Sequence, residues 1–216
     1  QSKVYLDEAT GLPNKNKCEE ILNASDLLSA QDAVAICVFD LNNLRNINNN
    51  LGHDKGDEYI RSFAVQLRIA VADEYFVGPE EFFAGRDGGD EFIAVLKNVT
   101  RMQVEECLRD IREQAAKYSK EYPEMPISYA VGYAMSQDFE QSTMRELFRY
   151  ADKNMYIDKN RAKMEEAAEE KRMNQRLLAK VKEMGYQFSD CLYCDVFMDQ
   201  YRVLRASSKF FLAEDG

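Results

Sequence analysis

The sequence predicts an α/β sandwich built on a mixed, largely antiparallel sheet, and three observations predict it. Residues 33–39 (Ala-Val-Ala-Ile-Cys-Val-Phe) are almost wholly apolar and rich in β-formers, as suits a central strand covered on both faces. Apolar runs at Phe82-Phe83-Ala84 and Phe92-Ile93-Ala94-Val95-Leu96 flank a stretch with adjacent glycines, the signal of a hairpin. Helical periodicities lie between and after these runs. The order is therefore strand, helix, hairpin, helix, strand, helix, with helices flanking the sheet.

The first strand ends at an acid, Asp40, and leads into residues 40–57, a stretch dense in amide and carboxylate side chains. The plain reading of that stretch is a solvated turn with Asp54 as N-cap of the next helix. This helix covers about residues 54–72, where Ile60, Phe63, Ala64, Leu67 and Val71 recur at three- and four-residue spacings on one face. The hairpin turn, Gly85-Arg86-Asp87-Gly88-Gly89-Asp90-Glu91, carries three acids and an arginine. A helix over about residues 101–118, a strand over 127–134 and a helix from about Met144 that runs past Met164 complete a domain of residues 1–163. Residues 164–185 are charged and helix-favouring up to a stop at Met184-Gly185, and read as a connector. Residues 186–216 alternate aromatic and polar residues around Asp199-Gln200 but are too few for an independent core. They read as the start of a truncated second domain, with a weak likeness to the opening strands of a PAS-type sensor.

Of the 216 residues 45% are hydrophobic and 31% charged, enough for a substantial core plus something smaller. The 28 basic against 38 acidic residues leave a net charge of -10, which repels nucleic acid and anionic membrane alike. No apolar run approaches the roughly 20 residues that span a bilayer, and the start lacks a signal peptide's charged and apolar regions. The expectation is a cytoplasmic segment without direct membrane contact, compatible with a larger protein anchored through flanking sequence. Cys18, Cys37 and Cys107 sit among apolar residues, where reduced buried thiols are usual. Cys191 and Cys194 form a C-x-x-C pair, but a zinc site needs further ligands and the sole histidine, His53, is far away in sequence. Paired strand residues are the better reading.

Phosphoryl transfer from a nucleoside triphosphate needs acids for a divalent metal, amides and cations for phosphates, and polar groups for the base. Asp40 ends a buried strand, where α/β proteins place ligand-binding groups, and Asp90-Glu91 can lie beside it on a neighbouring strand. Two acids so placed can share a metal; a strand-end aspartate alone is more often a cap or turn residue. The amides and acids of residues 42–57 suit guanine, because one carboxylate and one amide together satisfy its N1 and N2 donors.

Gly88-Gly89-Asp90-Glu91-Phe92 matches the signature that names GGDEF domains, and three further blocks of that family occur in order. Asp7-Glu8-Ala9-Thr10-Gly11-Leu12-Pro13-Asn14-Lys15 resembles the opening D-x-L-T-G-L-P-N-R. Gly52-His53-x-x-Gly56-Asp57 matches G-H-x-x-G-D, and residues 151–159 (Ala-Asp-Lys-Asn-Met-Tyr-Ile-Asp-Lys) resemble the closing A-D-x-A-L-Y-x-A-K. Over about residues 6–163 the chain therefore resembles a diguanylate cyclase. The resemblance implies a nucleotidyl-cyclase-like sandwich with a ferredoxin-like palm, and condensation of two GTP into cyclic di-GMP with release of pyrophosphate. It implies Mg²⁺ as cofactor, with Mn²⁺ as a substitute, a homodimer in catalysis because each chain holds one GTP, and neighbouring sensory domains. Asp40 and Asp90 would ligate metal through carboxylates and Leu41 through its carbonyl, with Glu91 in the same catalytic cluster. Asn48 and Asp57 would bind guanine. The amides of Asn43 and Leu44, with Arg45, Lys159 and Lys163, would hold phosphates.

Departures from the family pattern carry their own expectations. Lys163 stands where arginine is usual, which gives up a bidentate grip but keeps a charge; Arg45 likewise replaces lysine. Asn42 takes the place of the second acid of D-x-D and removes a negative charge near the metals. Pro79 and Phe82 occupy the positions of an inhibitory R-x-x-D motif, so product inhibition through that site is expected to be absent. His53 is expected to shape its loop, and Arg86 either steadies the hairpin or reaches a partner. Two other readings remain open: a GTP-binding module without turnover, and a cyclase of other base preference, against which Asp57 speaks.

Overall fold

The computed structural model describes residues 5–72 and 82–183. The helices are α1 (Lys15–Leu22), α2 (Leu44–Leu51), α3 (His53–Ala72), α4 (Arg101–Glu121) and α5 (Met144–Glu183). The strands are β1 (Leu28–Ser29), β2 (Ala35–Leu41), β3 (Phe82–Arg86), β4 (Glu91–Leu96), β5 (Tyr129–Met135) and β6 (Gln141–Ser142). The chain divides into two compact units, Gln1–Lys163 and Met164–Gly216. The first carries the fold. The described part of the second is the helical stretch to Glu183, so the proposed hairpin tail and Cys191 and Cys194 lie outside the described residues.

The largely antiparallel sheet expected from the element order is present. Its four strands run β3-β4-β2-β5, with each pairing antiparallel, and β1 and β6 form a separate two-stranded ladder. Every residue of β2 is buried, because strand alternation sends its side chains into two different cores. Ala35, Cys37, Phe39 and Leu41 join Phe63, Leu67, Cys107 and Ile111 from α3 and α4. Ile36 and Val38 join Cys18, Leu22, Leu147, Ala151 and Met155 from α1 and α5. Phe63 anchors the first core by packing against Phe39, Phe92 and Tyr129 at ring separations of 5.7, 5.0 and 5.0 Å. The three cysteines expected to be buried thiols are so, and burial raises the Cys107 thiol to about 11.

Local signals set the helix starts. Asn14 caps α1 by accepting from Lys17 N, and Thr100 with Gln103 forms a reciprocal capping box at α4. Thr143 and Glu146 make the same exchange at the start of α5. Where α5 crosses β5, a Cβ on Gly132 would lie 2.0 Å from Met155 N and 2.3 Å from Ala151 O, so only glycine allows this approach. The helix then covers the sheet edge: Asp158 accepts from Val131 N at 3.1 Å and Asn154 donates to Tyr133 O at 2.9 Å.

Candidate active site

The parity of β2 decides which way Asp40 points. It shares a face with Ile36 and Val38, toward α1 and α5, and is only 7% exposed. A charge buried there needs a partner, and Lys159 of α5 supplies it, with Nζ 2.8 Å from Asp40 Oδ1. Glu91 at the start of β4 is the register partner of Asp40, and Leu41 N donates to Asp90 O at 2.8 Å. Three expected acids and one expected cation thus gather at one end of the sheet. Partial desolvation, followed by the carboxylates of Asp40, Asp87, Asp90 and Asp152, pushes the Glu91 carboxyl above its ordinary value.

Arg86 steadies the hairpin turn, one of the two roles the sequence suggested for it. Its Nε donates to Gly88 O at 3.0 Å and its Nη2 to Gly89 O at 2.7 Å, while Nη1 lies 3.0 Å from Asp7 Oδ1. Asp7 also accepts from Thr10 N at 2.9 Å and from Thr10 Oγ1 at 2.7 Å. Burial acts to raise the Asp7 pKa, but the Thr10 hydrogen bonds and the Arg86 charge outweigh it and hold the carboxyl below its usual value. The first sequence block is therefore bound to the signature turn across 79 positions.

The remaining expected residues occupy the chain just after β2. Asn43 adopts a left-handed conformation, φ 66°, and forms the N-cap of α2, followed by Leu44 and the exposed Arg45. Residues 44–51 are thus a helix where a solvated turn was the plain reading. The Asn48 side chain lies directly over Gly56, where an added Cβ would stand 1.8 Å from Oδ1. This sets the Asn48 amide beside the α3 turn that carries exposed Asp57. Lys163 is exposed one helical turn beyond Lys159. His53 is exposed at the first residue of α3 and lies outside the acidic group.

Among the described residues, no group of three or more His, Cys, Asp or Glu is arranged to hold a metal ion. Two carboxylates and a strand-end carbonyl are nonetheless hard oxygen donors that fit Mg²⁺ or Mn²⁺, ions that complete their coordination with water and substrate phosphates. No helix of the described residues is long and apolar enough to cross a membrane.

A family model for the diguanylate cyclase GGDEF domain matches residues 4–165. The chain belongs to the GGDEF domain family. Among curated proteins it is similar to uncharacterized membrane proteins of Staphylococcus saprophyticus and Staphylococcus haemolyticus. The first is 28% identical over 167 residues, 74% of this chain and 44% of the relative. The second is 27% identical over 167 residues, with the same 74% and 44% coverage. The chain thus spans less than half the length of these relatives. Among solved structures, this GGDEF domain resembles that of DgcB from Caulobacter crescentus in complex with c-di-GMP, with a TM-score of 0.58, 21% identity, and coverage of 72% of this chain and 90% of that one. It also resembles the FimX GGDEF domain from Pseudomonas aeruginosa, with a TM-score of 0.59, 15% identity, and coverage of 73% and 94%. At these identities the likeness is one of fold.

Sequence reasoning missed several features of this GGDEF domain, two of them close to the site. Helix α1, which packs Cys18 and Leu22 under the sheet, is short and mostly polar and gives little periodic signal. Nothing in the sequence singles out Tyr59, which is buried and whose hydroxyl lies 2.9 Å from the carbonyl oxygen of Asn42, the residue after Leu41.

Proposed function

We propose that this GGDEF domain is a diguanylate cyclase that condenses two GTP into cyclic di-GMP and pyrophosphate. The observation that carries the reading is Asp40, buried at the end of the central strand, paired with Lys159 at 2.8 Å and bordered by the Asp90-Glu91 turn. In this reading the carboxylates of Asp40 and Asp90 and the Leu41 carbonyl hold Mg²⁺, which when bound polarises the α-phosphate and lowers the pKa of the attacking hydroxyl. Asn48 and Asp57 hydrogen-bond guanine and fix the base. The Asn43 and Leu44 amides, Arg45, Lys159 and Lys163 neutralise and orient the phosphates. Lys159 exchanges its contact with Asp40 for one with a terminal phosphate as nucleotide binds.

Each chain holds one GTP, so a second chain must face it. The 3′-oxygen of one nucleotide then forms a bond to the α-phosphorus of the other, the bond to pyrophosphate breaks in line, and the hydroxyl proton passes to solvent. Two such transfers close the ring. The homodimer is thus transient machinery, and neighbouring sensory domains set how often it forms. Because the curated relatives are called membrane proteins and extend well beyond the matched region, we place this domain on the cytoplasmic side of a larger, membrane-anchored protein.

A GTP receptor without turnover is the alternative, favoured by neutral Asn42 and by Lys163 in place of arginine. Incubation of the purified chain with GTP and Mg²⁺, read by mass spectrometry, separates the two. A cyclase yields cyclic di-GMP and pyrophosphate, both lost in Asp90→Ala; a receptor binds GTP and yields neither.

A further inference from the structure

Asn42 stands directly after Leu41, the last residue of β2, at a position where the family pattern has an acid. Its half-buried side chain donates from Nδ2 to Ser128 Oγ at 3.0 Å, and its backbone N donates to Ser128 O at 2.8 Å. Tyr59 of α3 closes the junction from behind and is fully buried. Its hydroxyl lies 2.9 Å from Asn42 O and 3.0 Å from Ser128 O, and accepts from Ser128 N at 3.1 Å. One phenolic proton is therefore shared between two carbonyls while the oxygen satisfies an amide. Burial, against an opposing hydrogen bond from Ser128, pushes the phenol above its ordinary pKa, so it remains a donor at neutral pH.

The position of this network gives it a function. Upstream are Asp40 and Leu41, whose N is bonded to Asp90 O. Downstream is Asn43 at φ 66°, a left-handed conformation that asparagine tolerates better than most residues with a Cβ and that turns the chain into α2. We propose that Asn42, Ser128 and Tyr59 form a clamp that positions the Asp40 carboxylate and the Leu41 carbonyl, and that Asn42 is a positioning residue and not a metal ligand. The inference rests on the nucleotide-site reading above. It explains how an amide serves where an acid is usual: the amide donates to the Ser128 hydroxyl, whereas a carboxylate would accept from it, and either closes the same contact.

The test combines steady-state kinetics with backbone hydrogen exchange over residues 41–44. In Asn42→Ala and in Ser128→Ala, kcat falls about tenfold while KM for GTP changes less than about threefold, since guanine is held elsewhere. The double variant is no worse than either single one, and Ser128→Thr, which keeps the hydroxyl, recovers most of the loss. Asn42→Asp shifts the half-saturating Mg²⁺ concentration by less than about threefold. Multiplying losses in the double variant, or an Asn42→Asp chain that needs more than about tenfold less Mg²⁺, would overturn the proposal. If the wild-type chain forms no cyclic di-GMP, the cyclase reading fails by itself and the clamp is judged on exchange. Faster exchange at residues 41–44 in Ser128→Ala then supports it, and unchanged exchange rejects it.

Discussion

Arg86 shows how much one side chain can hold. It is 16% exposed, and its planar guanidinium meets two turn carbonyls and the Asp7 carboxylate at once. Arg86→Ala leaves Asp7 partly buried without its cation, and should cost about 2 kcal/mol in denaturant unfolding. Added to Asp7→Ala it should cost little more, and full additivity would show that the two do not act together. Glu91 works in the opposite direction. The folded chain binds its proton more tightly than the unfolded chain, so stability is lost as pH rises through the elevated carboxyl pKa. In chelator-containing buffer, Glu91→Gln should therefore melt higher than wild type at pH 8, with the gap closing below roughly pH 4. A gap that widens on acidification would contradict the crowding of acids around Glu91.

At the scale of elements, the site depends on where α5 lies. Gly132 lets the helix backbone touch β5, and the same approach brings Lys159 to Asp40. Gly132→Ala would drive a Cβ into Ala151 O and Met155 N, at a cost of about 3 kcal/mol. It should lower the melting temperature by roughly 10 °C and reduce any cyclase activity with it; an unchanged melt would mean that α5 yields freely. Strands β2 to β5 and the helices α3, α4 and α5 were legible, with residues 33–39 uniformly apolar and Ile60, Phe63, Leu67 and Val71 repeating at helical spacing, whereas the two-residue strands β1 and β6 are too short to leave a pattern. The gathering of Asp40, Asp90 and Glu91 was legible through the family motifs. The short helix α1, the conformation of Asn43 and the Tyr59 junction were not, since each depends on contacts between distant segments that leave no period in the chain. Arg86 belongs with them: the pairing with Asp7 spans the whole of β2, α2 and α3.

For the molecule as a whole, a net charge of -10 repels nucleic acid. The cyclase reading further requires that one chain carry half of the reaction, so the fold alone cannot complete it. The dependence of the initial rate of cyclic di-GMP formation on chain concentration, at saturating GTP and Mg²⁺, tests this most directly. If two chains must meet, the rate rises nearly as the square of concentration while the chain is mostly monomeric, and it vanishes in Asp90→Ala. A rate strictly proportional to concentration, or no product at any concentration, would contradict the account.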